Sequence, residues 1–178
     1  AGRGIGEAIA HAFAQEGANL ALISCTPEDV ERVALETSSH GVVSIALPVD
    51  VSKQSSVRAS VDAVMKKFDR IDVLINAAGV YGPIGPFVEN DLEHWSSAIE
   101  INLMGTVYAI YAVLPHMLAR RDGVILNFSG GGAVQSFPRF SAYGTSKAAV
   151  VRLTETLAEE VRGSGVRINA SAPGAVNT

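Results

Sequence analysis

Short aliphatic runs alternate with helix-length segments along this chain, and that alternation constrains its fold more than any other feature. Residues 19–24 (NLALIS), 42–47 (VVSIAL), 71–75 (IDVLI), 123–128 (GVILNF) and 166–170 (VRINA) are aliphatic and largely β-branched, without clean polar alternation. Such runs suit parallel strands covered on both faces. Amphipathic segments at 5–15, 27–39, 53–68, 91–120 and 143–162 lie around and between them. A helix between each pair of strands predicts βαβ units, hence an α/β fold with a doubly wound parallel sheet. No linker or repeat interrupts the pattern, so residues 1–178 are expected to form a single dinucleotide-binding and catalytic domain.

Composition narrows the function classes. Apolar residues make up 48% of the 178 and charged residues 18%, which is globular rather than disordered. Lys and Arg number 14, form no run, and leave a net charge of −4, so nucleic acid is not an expected partner. The single cysteine, Cys25, excludes an internal disulfide and reads as a small buried residue at a strand end. His11, His40, His94 and His116 are scattered without a spaced partner, so no metal centre is expected. Residues 101–119 carry no charge, but Asn102, Pro115 and His116 lie among them. A buried or interface helix is expected there rather than a membrane span. The expected compartment is the cytoplasm.

The chain opens on a glycine-rich turn, Gly2-Arg3-Gly4-Ile5-Gly6, directly before a helix. Glycines let the backbone approach a pyrophosphate, and a helix N-terminus offers free N–H groups and the positive end of its dipole. Alone, this turn is as consistent with a tight strand-to-helix connection.

Four further segments add to it. Asn76-Ala77-Ala78-Gly79 follows the run at 71–75. Asn102 lies in Ile101-Asn102-Leu103-Met104-Gly105. Tyr143 and Lys147 stand one helical turn apart in Tyr143-Gly144-Thr145-Ser146-Lys147, and Pro173-Gly174 follows the run at 166–170. In this order the chain resembles the short-chain dehydrogenase/reductase family, single-domain Rossmann-like enzymes that use a nicotinamide dinucleotide. The resemblance spans essentially the whole chain.

The resemblance implies roles. Gly4 and Gly6 match the last two glycines of the family turn T-G-x-x-x-G-x-G, with Gly2, Arg3 and Ile5 beside them at the cofactor. Asp50-Val51 matches the acidic position facing the adenine. Asn76 matches the asparagine that steadies the central sheet, and with Ala77 it is an expected cofactor contact; Gly79 borders the cofactor cleft, and Pro173, Gly174 and Thr178 match the stretch at the nicotinamide end. Tyr143 would exchange a proton with the substrate oxygen while hydride moves. Lys147 would lower the Tyr143 pKa, as a nearby ammonium stabilises a phenolate, and would bond the nicotinamide ribose. Asn102 would hold a water that relays protons from Lys147. The implied activity is NAD(P)-dependent oxidation or reduction of a small alcohol or carbonyl compound, in a homodimer or homotetramer.

Two positions depart from the pattern. The family serine that binds the substrate oxygen stands thirteen residues before the tyrosine. Here that position is Gly130, and Ser129 is one residue further back. Either Ser129 turns into the site, with Ser136 and Ser141 as fallback hydroxyls, or main-chain N–H groups of Gly130-Gly131-Gly132 take its place, or catalysis is impaired and the chain is a dinucleotide-binding sensor or subunit. At the end of the run at 19–24, Ser24-Cys25-Thr26 holds no acid for a ribose 2′-hydroxyl, whereas Arg3 offers a guanidinium for a 2′-phosphate. NADP(H) is therefore favoured over NAD(H).

In the strand order implied by the resemblance, the strand that delivers the glycine turn lies at the sheet centre. No such run precedes Gly2. The expectation is a fragment lacking its first central strand and its last strand, inactive alone. The runs at 19–24 and 71–75 would flank an empty slot roughly 9–10 Å wide, twice the usual strand spacing.

Overall fold

The computed structural model describes every residue except Ala175, Asn177 and Thr178. The expected cofactor contact at Thr178 therefore lies outside the described residues. The chain divides into two compact units, one built on residues 1–51 and the other on residues 52–174.

The first unit runs α1 (Gly4–Gln15), β1 (Leu20–Ser24), α2 (Pro27–Ser38) and β2 (Ser44–Pro48). The two strands pair in parallel, from Leu20 opposite Ser44 to Ser24 opposite Pro48. Ala10 of α1, Leu22 of β1, and Val30, Val33 and Ala34 of α2 form its core. Proline at the first position of α2, followed by Glu28 and Asp29, suits a helix start. Cys25, expected to be buried, is exposed just before this start.

The second unit runs α3 (Gln54–Phe68), β3 (Val73–Asn76), α4 (Leu92–Ile99), α5 (Gly105–Arg120), β4 (Gly123–Phe128), α6 (Ser141–Glu160) and β5 (Val166–Ser171). Its sheet has the order β3-β4-β5, all parallel. Ile110, Val113 and Met117 recur at helical spacing on α5 and pack with Val61, Ile125, Val161, Val166 and Ile168. The helix at 92–120 is long and apolar enough to cross a membrane by length and composition, and a third of its most apolar window is buried inside the protein.

The expected doubly wound α/β architecture is observed, with parallel strands alternating with helices. The strands expected to flank an empty slot, β1 and β3, belong to separate sheets. The helix expected at 91–120 is not uniform. Residues Glu100–Met104 form a π turn between α4 and α5. The wider turn carries Asn102, a fully buried polar residue. Thr106 Oγ donates to the Asn102 carbonyl at 2.9 Å, occupying an oxygen that the widened turn leaves available.

Candidate functional site

All three strands of the second unit point the same way, so their C-terminal ends lie together. The candidate residues follow those ends, where open α/β sheets bind ligands. Asn76 ends β3, Ser129 and Gly130 follow β4, and Pro173-Gly174 follows β5.

Tyr143 and Lys147 lie in the first turns of α6. Lys147 is buried, and its ammonium donates to the Phe128 carbonyl at 2.8 Å. It stands 5.8 Å from the centroid of the Tyr143 ring. Gly79 lies against this group, since a Cβ there would stand 3.2 Å from Lys147 Nζ and 3.4 Å from Asn102 Oδ1. The Tyr143 hydroxyl makes no hydrogen bond among the described residues.

Asn102 braces this group. Its Oδ1 accepts from the Val80 N–H at 2.8 Å, and its Nδ2 donates to the Val80 carbonyl at 2.8 Å and to Ser146 Oγ at 2.9 Å. Ser146 Oγ in turn donates to the Tyr143 carbonyl at 2.8 Å. Both amide protons of Asn102 are thereby used on the loop after β3 and the start of α6. A second chain runs from half-buried Asn76 Nδ2 to buried Asn127 Oδ1 at 2.9 Å and from Asn127 Nδ2 to Thr154 Oγ at 2.8 Å. It ties β3 to β4 and β4 to α6. Asn127, Ser146 and Thr154 were not singled out by sequence. A polar residue inside an aliphatic strand such as VILNF was the signal for Asn127.

Burial moves both titratable groups. It pushes the Tyr143 phenol above its ordinary value, with Tyr81 adding to the rise, and pulls the Lys147 ammonium down to about 8. The expected lowering of Tyr143 by Lys147 is therefore reversed in this structure. The Lys147 ammonium is turned to the Phe128 carbonyl rather than to the phenol oxygen, so desolvation wins.

In the first unit, Gly4 has φ +58, a left-handed conformation that favours glycine. A Cβ on Gly2 would meet the Asp29 Cβ at 2.6 Å. The turn thus needs glycine at both places and leads into the first N–H groups of α1, which suits a pyrophosphate. Arg3 is exposed beside it. Asp50 is exposed and Val51 half-buried just after β2.

Sequence reading found no metal centre, yet Glu7, His11 and Glu36 gather between α1 and α2. Arg32 bridges the two carboxylates, at 2.8 Å from Glu7 and 3.0 Å from Glu36, and supplies the cation of this cluster.

A family model described as short chain dehydrogenase matches residues 1–178. This chain belongs to the short-chain dehydrogenase family. Among its relatives is the oxidoreductase UcpA of Escherichia coli K12, 41% identical over 99% of this chain and 66% of the relative. The chain thus spans about two thirds of the length of that curated relative. The crystal structure of an NAD+-bound xylitol dehydrogenase superposes with a TM-score of 0.94 at 33% identity, covering 97% of this chain and 66% of that one. A metagenomic short-chain oxidoreductase in complex with NADP gives a TM-score of 0.93 at 31% identity, covering 98% of this chain and 79% of that one.

The short-chain dehydrogenase serine is where this chain departs. Ser129 is buried, and its hydroxyl donates to the Lys147 carbonyl at 3.2 Å, so it is engaged by the backbone of α6. Gly130 instead lies against the tyrosine. A Cβ there would overlap the Tyr143 hydroxyl and approach Cζ to 3.0 Å. The sequence could not separate these roles, because the three glycines after Ser129 leave the loop path open.

The Lys147 environment gives a pH-dependent stability. Unfolded, the lysine holds its proton up to its ordinary 10.5, but folded only up to about 8. Between those values unfolding takes up a proton, so stability rises with pH. Relative to a Lys147→Met variant, the wild-type chain is expected to gain about 2 kcal/mol between about pH 7 and about pH 9.5. Urea denaturation of both proteins at the two pH values measures this difference. A constant difference contradicts the burial argument.

Proposed function

We propose that this chain carries out NAD(P)-dependent oxidation or reduction of a small alcohol or carbonyl compound. The observation that carries the reading is the Tyr143 hydroxyl, free of partners among the described residues and one helical turn from the buried Lys147. Family membership supports the same chemistry. A nicotinamide dinucleotide, when bound, supplies or accepts the hydride. Tyr143 Oη gives a proton to the substrate oxygen in reduction and takes it in oxidation. The Lys147 ammonium stands 5.8 Å from the centroid of that phenol ring and is the candidate partner of the cofactor ribose. Asn102 acts by fixing Val80 and Ser146. Gly2, Arg3, Gly4, Ile5 and Gly6 form the pyrophosphate turn, with Asp50, Val51, Asn76, Ala77, Gly79, Pro173 and Gly174 as further cofactor contacts. Exposed apolar side chains on α5, Tyr111 and Leu118, support a homodimer or homotetramer.

NADP(H) is the proposed cofactor. Arg3 is exposed and offers a guanidinium for a 2′-phosphate, and Ser24-Cys25-Thr26 at the end of β1 holds no acid. Titration is expected to show NADP(H) tighter than NAD(H) by about tenfold, or 1.4 kcal/mol. Arg3→Ala is expected to remove most of that margin. Tighter binding of NAD(H) contradicts the assignment.

The position of Ser129 favours a second reading, a dinucleotide-binding sensor or subunit without turnover. The Ser129 hydroxyl is engaged by the Lys147 carbonyl, and Gly130 brings no side chain to the Tyr143 hydroxyl. Screening reduced and oxidised cofactors against a panel of aldehydes, ketones and alcohols separates the two. Turnover supports the oxidoreductase. Tight cofactor binding with no turnover supports the sensor.

A further inference from the structure

The face beside the Tyr143 ring is aromatic. The Tyr81 ring packs on the Tyr143 ring with centroids 5.0 Å apart and planes tilted by 51°. Its other contact is Phe140, at 5.6 Å and nearly edge-on. Phe140 stacks on Phe137 at 4.3 Å with planes 9° apart. Three rings thus continue outward from the candidate acid. Tyr81 is 56% exposed, Phe137 is 44% exposed, and neighbouring Val134 is 82% exposed. Leaving that much ring surface in water is unfavourable, and exposed apolar surface next to a candidate reacting group is a general mark of ligand recognition.

The wall is held in place. Tyr81 comes from the loop after β3, and Phe137 and Phe140 from the loop after β4. The Gly85 N–H donates to the Arg139 carbonyl at 2.9 Å, joining the two loops. Gly82 packs so closely that a Cβ there would lie 2.8 Å from Ala98 Cβ and 3.1 Å from Ala142 Cβ. Rings positioned in advance lose little conformational freedom when a flat partner stacks on them. They present C–H edges and π faces, which favour another ring over a chain of hydroxyls.

We propose that Tyr81, Phe137 and Phe140 hold a ring of the substrate, so that the preferred substrates are ketones or secondary alcohols bearing an aryl or alicyclic ring next to the reacting carbon. The inference rests on the oxidoreductase reading of Tyr143 and names the substrate class that this site takes.

The test compares acetophenone and cyclohexyl methyl ketone with the straight-chain methyl ketones of the same carbon count, and with a polyhydroxy ketone. It is run on the protein that carries this chain, with saturating reduced cofactor. The ring ketones are expected to show kcat/KM about tenfold above the straight-chain ketones, the order that a well-matched apolar pocket yields. Tyr81→Ala is expected to bring that ratio close to unity with the cofactor dissociation constant unchanged. Phe137→Leu, a milder change, is expected to move the ratio in the same direction. Calorimetric binding of acetophenone to the cofactor-loaded Tyr143→Phe protein reads the same preference without turnover. Preference for the straight-chain or polyhydroxy ketone, or a ratio unmoved by both variants, overturns the substrate class and leaves the oxidoreductase reading standing. A Tyr81→Ala protein of unchanged selectivity that falls apart from an oligomer assigns the wall to a second copy, which also overturns it. Cofactor binding with no turnover of any compound overturns the oxidoreductase reading and this inference together.

Discussion

Replacing Tyr143 by phenylalanine is expected to lower turnover by about a hundredfold, the usual effect of removing a general acid–base group. The substitution is narrow. The hydroxyl bonds to nothing among the described residues, so no structural hydrogen bond is lost. The ring remains to pack on Tyr81 at 5.0 Å. Stability and cofactor binding should therefore persist while turnover falls. Steady-state turnover beside a cofactor titration on the same preparation checks both halves. Near-normal turnover in Tyr143→Phe would remove the tyrosine from the chemistry.

Asn102→Ala should act in the opposite manner, through the fold. The side chain satisfies the Val80 N–H, the Val80 carbonyl and Ser146 Oγ from within a buried π turn. Truncation leaves three polar groups without their partner, and each buried unsatisfied group costs about 1–3 kcal/mol. A loss of about 3 kcal/mol in unfolding free energy is expected, read by urea denaturation. Asn102→Asp is expected to cost at least as much. A carboxylate can still accept from the Val80 N–H, but it faces the Val80 carbonyl with no proton to donate, and the charge is buried. A loss below about 1 kcal/mol for the alanine variant would show that the bridge is dispensable.

Much of this architecture was legible because parallel strands and amphipathic helices leave distinct hydrophobic patterns. Residues 123–128 form β4 as expected, and Tyr143 and Lys147 fall in the first turns of α6. Strand edges were less legible, since pairing decides them. Residues 42–47 were expected as a strand, yet β2 begins at Ser44, and the Val43 N–H is taken by Asn19 Oδ1 at 2.9 Å. Likewise β3 begins at Val73, with the Ile71 carbonyl accepting from Arg120 at 3.1 Å. The π turn around Asn102 was invisible because one extra residue per turn leaves the apolar spacing of the flanking helices intact. In the candidate site, the residue types at Asn76, Asn102, Tyr143 and Lys147 pointed to their positions. The direction of the Ser129 hydroxyl and the wall of Tyr81, Phe137 and Phe140 depend on how two glycine- and proline-containing loops close on each other. No periodicity encodes that closure.

Hydride transfer beside Tyr143 is the central claim, and an isotope settles it most directly. The reduced cofactor is prepared with deuterium at the nicotinamide carbon that gives up hydride, and the alcohol product of a ketone that turns over is analysed by mass spectrometry and proton NMR. The account predicts one deuterium on the carbinol carbon, formed by the wild-type protein and at a rate reduced about a hundredfold by Tyr143→Phe. Bound cofactor whose label never reaches a product, or label transfer at an equal rate in Tyr143→Phe, would contradict it.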